Sequence, residues 1–218
     1  MMIEDKTPAT PKWVRKLLIP AAIGGVVGFA ASSALMRFLD SEAVGGLGES
    51  GTIAALVGML YAVIGLSIAI GVASPRLGAR FLNVEDADEL REQKRVLSLS
   101  GAAMLLLGIS LIALALAAPG GPLAPAAGLA IGVVGLVVGA VLSVAVLRSS
   151  DELMRAINLE AGSLGFTLVL LVVGLWAMLA HLGYTAGPAP LDLLSLFYVL
   201  VLVASFITVG RRGMLAPR

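Results

Sequence analysis

Six long apolar stretches, separated by short polar joints, make up most of this 218-residue chain. Each except the last reaches about the 20 residues that a helix needs to cross a ~30 Å hydrocarbon core, and the last is slightly shorter. None of them contains Asp, Glu, Lys or Arg. Because unpaired backbone polar groups are costly in lipid, the pattern predicts an all-α integral membrane protein, a six-helix transmembrane bundle. The stretches are Leu17–Met36, Thr52–Ser74, Val96–Ala118, Leu123–Leu147, Ala161–Leu182 and Leu193–Val209.

The composition agrees with a chain whose main partner is the lipid bilayer. Hydrophobic residues make up 59% and charged residues only 13%, whereas a soluble domain has about 25% charged residues. The net charge of +1 gives no sign of a nucleic-acid partner. No cysteine is present, so disulfides and thiolate metal sites are excluded. We expect one transmembrane domain over 17–210, with a charged loop at about 75–95 and tails at 1–16 and 211–218.

The distribution of basic residues predicts the orientation. Of the 15 Lys and Arg residues, all but Arg37 fall in the N-terminal tail, in the second and fourth joints or at the C-terminal end. Cytoplasmic loops are the ones that retain Lys and Arg, so both termini are expected in the cytoplasm. The first stretch, with Ala31-Ser32-Ser33-Ala34 near its end, also resembles a signal peptide with a cleavage site. We expect it to be retained as a helix.

Small side chains line one face of three predicted helices. In the second stretch, Gly58 and Gly65 belong to a row of Gly and Ala with alternating spacings of four and three, which places them on one stripe. Lipid gives helices no hydrophobic reason to associate, and close approach through small residues is the usual substitute. The stripes predict either packing inside the bundle or a face of a homo-oligomer. The predicted packing residues are Gly25, Gly28, Gly58, Gly65, Gly128, Gly132, Gly135 and Gly139.

Two similar segments, Asp88-Glu89-Leu90 and Asp151-Glu152-Leu153, precede the third and fifth stretches. Each is followed by an apolar helix, a short joint with proline and a second helix ending in arginine. The pattern suggests three helical hairpins, the last two either duplicated or alike by chance.

The second of these segments continues as D-E-L-M-R-A-I-N-L-E-A over 151–161, with Phe166 in the next helix and Arg211-Arg212 at the end of the hairpin. This part of the chain, roughly Asp151–Arg212, resembles small bacterial inner-membrane proteins that carry a D-E-x-x-R-x-I-x-L-E-A entry, a helical hairpin and a basic terminus. That family is functionally uncharacterised. The resemblance therefore implies a multi-pass protein of the bacterial inner (plasma) membrane, without an activity.

Few ionisable groups approach the predicted membrane interior. Glu160, with Arg155, could form a cation or proton site at the cytoplasmic end of the fifth helix, or it could be an interfacial carboxylate paired with Arg148 or Arg155. His181 is the only histidine and cannot make a metal site by itself. Trp176, Tyr184 and Tyr198 are expected mostly near helix ends, where such rings anchor at lipid headgroups.

No enzyme signature is present, and we expect no catalytic residue, cofactor or metal. The sequence favours a non-catalytic accessory or scaffold component of a membrane assembly, with a membrane-protein partner or as a homo-oligomer. The alternative is a carrier of a small apolar or weakly polar solute or lipid. A carrier would require a polar cavity between the second and third helices, lined by the mid-span residues Tyr61, Ser67 and Ser110.

Overall fold

The fold is entirely helical over the residues that the computed structural model describes, 19–41, 47–81, 87–117 and 121–214. Within these ranges, five of the helices are long and apolar enough to cross a membrane, namely α2, α5, α6, α7 and α8. This is the architecture of a helical membrane protein. The helices are α1 (Ile19–Leu39), α2 (Glu49–Ala73), α3 (Pro75–Phe81), α4 (Ala87–Glu92), α5 (Lys94–Leu116), α6 (Pro125–Ser149), α7 (Glu152–His181) and α8 (Pro190–Arg211).

The helices fall close to the predicted stretches, but α1, which matches the first stretch, is not among these five helices, so the sixth span stays a prediction. Two further differences occur. First, α7 begins at Glu152 rather than at Ala161. The charged segment before Ala161 continues the same helix, because the Asp151 side chain accepts a hydrogen bond from the Met154 backbone N–H (2.7 Å) and caps it. Second, the charged loop contains the short helices α3 and α4. The predicted tail at 1–16 and the last residues, 215–218, lie outside the described part.

Local sequence signals explain several helix ends. Pro125 and Pro190 each occupy the first helical position, where the missing N–H would have no partner. A glycine with positive φ follows the ends of both α7 and α8, Gly183 (78°) and Gly213 (70°). The residue after each glycine donates its N–H back into the last turn, Tyr184 to Leu179 (2.9 Å) and Met214 to Val209 (3.1 Å). A side chain with a Cβ is strained in this conformation, so glycine suits both ends.

Helix α5 lies at the centre of the packing. It contacts α2 and α6 extensively, while α8 packs on α2 and α7 packs mainly on α8. A buried cluster joins α1, α2, α5 and α8 and includes Ala54 and Ala55 of α2, Leu111 of α5 and Tyr198 of α8. The last two predicted hairpins, α5–α6 and α7–α8, are therefore packed pairs, but α2 packs on α5 more extensively than on α1.

The α2–α5 interface is made by glycines that face each other. A Cβ added at Gly58 would come 2.8 Å from the Gly108 carbonyl oxygen, and one added at Gly65 would come 2.6 Å from the Gly101 carbonyl oxygen. The two pairings run in opposite directions along the chain, so the helices are antiparallel. Because the atoms met are backbone atoms, a side chain at these positions would have to push the helices apart.

The four glycines predicted on the fourth stretch face α5. A Cβ at Gly128 or Gly135 would collide with the Ala117 Cβ or the Ser110 Oγ, respectively. Gly132 and Gly139 lie against leucine side chains, Leu114 and Leu107, at 2.9 and 2.8 Å from the added Cβ.

The stripe on α1 has a different environment. A Cβ at Gly25 or Gly28 would have nothing within 4 Å among the described residues. Only the C-terminal end of α1, at Leu35 and Leu39, belongs to the buried core. Packing of Gly25 and Gly28 inside one chain is therefore not found in the described part, and their role at a homo-oligomer face stays a prediction.

Candidate functional site

The three mid-span polar residues face different neighbours. The Tyr61 hydroxyl of α2 donates to the Tyr198 carbonyl oxygen of α8 at 2.7 Å. The Ser110 hydroxyl of α5 donates to the Leu106 carbonyl oxygen at 2.8 Å and lies 3.4 Å from the Ile131 carbonyl oxygen of α6. Ser67 donates to the Val63 carbonyl oxygen of its own helix at 2.7 Å. The structure does not bring these three residues to one cavity, and each hydroxyl is satisfied by backbone.

Tyr61 and Tyr198 form the aromatic contact that joins the α7–α8 hairpin to α2. Their ring centroids are 5.0 Å apart with an interplanar angle of 51°, within the range in which aromatic pairs attract each other. The exposed fraction is 6% for Tyr61 and 8% for Tyr198. The expectation that Tyr198 anchors at a headgroup layer is therefore wrong, because this residue lies in the interior of α8 against a neighbouring helix.

Glu160 pairs with Arg212, across the ends of α7 and α8. The Arg212 Nη2 and Nε donate to the Glu160 Oε2 at 2.6 and 3.0 Å. Glu160 therefore does not pair with either predicted partner, Arg148 or Arg155, among the described contacts. Arg155 is exposed. The side chains of Arg212 and Glu160 retain 37% and 41% exposure, respectively. An ion pair this exposed is typical of a structural contact, worth about 0–1 kcal/mol.

A pocket of about 530 Å³ opens at the other end of the α7–α8 hairpin, against the beginning of α2. Two carboxylates, Glu49 and Asp192, line it together with Trp176. The Trp176 Nε1 donates to the Ala186 carbonyl oxygen at 2.8 Å, which fixes the indole, and Asp192 accepts from the Ala189 backbone N–H at 2.8 Å. Sequence reasoning did not find this pocket, because its residues lie far apart along the chain.

A second concave region lies where α5 begins and α6 ends. Arg95 of α5 and Arg148 of α6 line an open groove of about 440 Å³. The remaining lining residues belong to α6 and are small or apolar except for Ser149. Farther along the same pair, Ser110 lines an apolar groove of about 300 Å³.

No cluster of three or more potential metal ligands occurs among the described residues. His181 lies exposed at the end of α7. No family model, curated protein or solved structure matches this chain. The likeness of 151–212 to small bacterial inner-membrane proteins stays a prediction.

Proposed function

We propose that this chain is a non-catalytic, multi-pass component of a bacterial inner membrane, acting as an accessory or scaffold subunit in an assembly with another membrane protein or with further copies of itself. The observation that carries the proposal is the position of α7. This 30-residue helix packs mainly on α8. It leaves a continuous row of large apolar side chains exposed, which includes Phe166, Leu170 and Leu171.

The packing of α2, α5 and α6 supports the same proposal. Glycine and alanine bring these three helices into backbone contact, which suits a rigid bundle. A rigid bundle that carries a long, mostly exposed apolar helix such as α7 offers a neighbouring membrane protein a surface to pack on.

A photo-crosslinking residue placed at Leu171 tests the proposal. The matched control carries the same residue at Val137, which is exposed on α6. We expect Leu171 to crosslink to a defined polypeptide, either a partner or a second copy, with Val137 giving lipid adducts. Lipid adducts alone from both positions, together with a protein that leaves native nanodiscs as a monomer, would refute the scaffold function.

The proposed topology has six spans with both termini in the cytoplasm, and the distribution of Lys and Arg supports it. Since the chain has no cysteine, single substitutions report sidedness directly. A membrane-impermeant maleimide should label Thr185→Cys in intact cells and Glu152→Cys only after permeabilisation. Both residues are exposed. The reverse labelling pattern would overturn the orientation.

The second candidate function is a carrier of a small solute, and the pocket at Glu49, Trp176 and Asp192 favours it. Its volume of about 530 Å³ falls within the range of roughly 300–1,000 Å³ typical of small-molecule sites. The two carboxylates could accept hydrogen bonds from a weakly polar solute that carries donors. Mass spectrometry of protein extracted from native nanodiscs should then find a small molecule that is lost in Asp192→Asn. A pocket that is empty in both proteins would count against the carrier.

A further inference from the structure

We infer that the groove at Arg95 and Arg148 binds the phosphate headgroup of an anionic phospholipid, whose acyl chain lies along the outer face of α6. The inference requires only that the bundle is embedded in a membrane, so it is independent of the scaffold and carrier functions.

Two arginines, Arg95 and Arg148, line the groove at this end of the antiparallel α5–α6 pair. Arg95 lies in the first turn of α5 and Arg148 in the last turn of α6, and both are exposed. The ion pairs within the described ranges involve Arg91 and Arg212, so neither groove arginine is neutralised there by a carboxylate. Arginine offers a planar fork of donors that matches phosphate oxygens. Basic pockets between transmembrane helices are recurrent sites for anionic headgroups.

The rest of the groove is suited to an acyl chain. Val141 and Val144 line it and are 62% and 48% exposed. Spacings of three and four residues place Val134, Val137, Val141, Val144 and Arg148 on one face of α6. From Arg148 to Val134 this face extends about 21 Å at ~1.5 Å per residue. One leaflet contributes about 15 Å of the ~30 Å hydrocarbon core, so the face is long enough for an acyl chain whose headgroup is held at Arg148.

The presence of both arginines and exposed valines in one groove distinguishes a phospholipid site from a site for a free anion. A free phosphate would use only the guanidinium groups, whereas a phospholipid uses the arginines and the exposed valines together. The site should therefore respond both to loss of charge and to filling of the groove.

Lipid binding by the full-length protein is the test, measured by native mass spectrometry from nanodiscs containing equal parts of phosphatidylglycerol and phosphatidylcholine. Charged contacts near the membrane surface are worth about 1 kcal/mol each, so Arg95→Gln with Arg148→Gln should weaken phosphatidylglycerol binding about thirtyfold, at ~1.4 kcal/mol per tenfold. The matched control is Arg76→Gln with Arg211→Gln, which removes two exposed arginines outside the groove. We expect the control to retain wild-type binding.

A second pair of variants tests the acyl-chain part without changing any charge. Val144→Trp should fill the groove and weaken phosphatidylglycerol binding, whereas Val172→Trp, on the exposed face of α7, should not. Equal loss in the arginine pair and its control would overturn the site in favour of a general charge effect. Undiminished binding in Val144→Trp, or displacement of the lipid by inorganic phosphate at a similar affinity, would overturn the lipid in favour of a free anion.

Discussion

Alanine at Gly65 provides the most direct test of how α2 and α5 are held together. The added Cβ would lie 2.6 Å from both the Gly101 carbonyl oxygen and the Leu105 backbone nitrogen. Ordinary contact begins near 3.4 Å, so the helices must separate locally by at least about 0.8 Å. Neither contacting atom can rotate away, because both belong to the backbone of α5.

The expected magnitude follows from two opposing effects. Overpacking of a close interface costs about 1–3 kcal/mol, while Gly→Ala in a helix recovers up to about 1 kcal/mol of intrinsic helix propensity. With the full propensity gain subtracted, we expect Gly65→Ala to lower the free energy of unfolding by up to about 2 kcal/mol. Gly58→Leu should cost more, because its larger side chain meets the Gly108 carbonyl oxygen and Ile112.

The controls are glycines that the structure places in open space or ordinary contact. A Cβ at Gly174 would have nothing within 4 Å among the described residues, and one at Gly165 would lie 3.6 Å from the Ala204 and Val201 side chains. We expect Gly174→Ala to be neutral or slightly stabilising and Gly165→Ala to be stabilising. Reversible unfolding in mixed detergent micelles, followed by circular dichroism, measures the free energy of unfolding of all these variants. If Gly65→Ala unfolds at the same denaturant concentration as Gly174→Ala, the α2–α5 packing described above is wrong.

Three other substitutions give distinct expectations in the same unfolding assay. Tyr61→Phe removes the hydroxyl that donates to the Tyr198 carbonyl oxygen and should cost about 0.5–1 kcal/mol, the usual range for a hydrogen bond between membrane helices; an unchanged stability would contradict the interhelical bond. Glu160→Gln should cost less than about 1 kcal/mol because its pair with Arg212 is half-exposed, and it should leave function intact, so a large functional loss would point to a cation-coupled role. Thr208→Val should stabilise by roughly 1 kcal/mol, since the Thr208 Oγ1 is buried without a hydrogen-bond partner in the described part; destabilisation would indicate that this hydroxyl is satisfied.

Hydropathy predicts where the membrane helices lie, because length and apolarity are properties of each segment alone. It does not predict which helices are neighbours, since a helix that is apolar on every side gives no sign of which side faces protein. Gly28 and Gly58 show the difference. Both belong to small-residue stripes, but an added Cβ at the first would meet nothing within 4 Å among the described residues, whereas the second faces the backbone of α5.

The polar contacts were harder to predict for a related reason. The sequence predicts for Glu160 either a cation site or an ion pair with Arg148 or Arg155, whereas Arg212 at the end of the next helix is its partner. That contact depends on how α7 and α8 lie against each other, which spacing along one chain does not specify. Arg95 and Arg148 line one groove for the same reason, because antiparallel packing places the beginning of α5 beside the end of α6.

The facing glycines of α2 and α5 also have a consequence for biogenesis. The glycine stripe of α2 cannot pack until α5 has been synthesised, about 40 residues later. At a synthesis rate of about 5–20 residues per second, this takes some 2–8 s. During that interval the exposed backbone of α2 faces lipid or the insertion machinery. Helix α5 then lies between α2 and α6, because α6 follows it directly in the chain and packs on its opposite side. Slowing translation between α2 and α5 would prolong the period in which α2 can pair with a wrong helix.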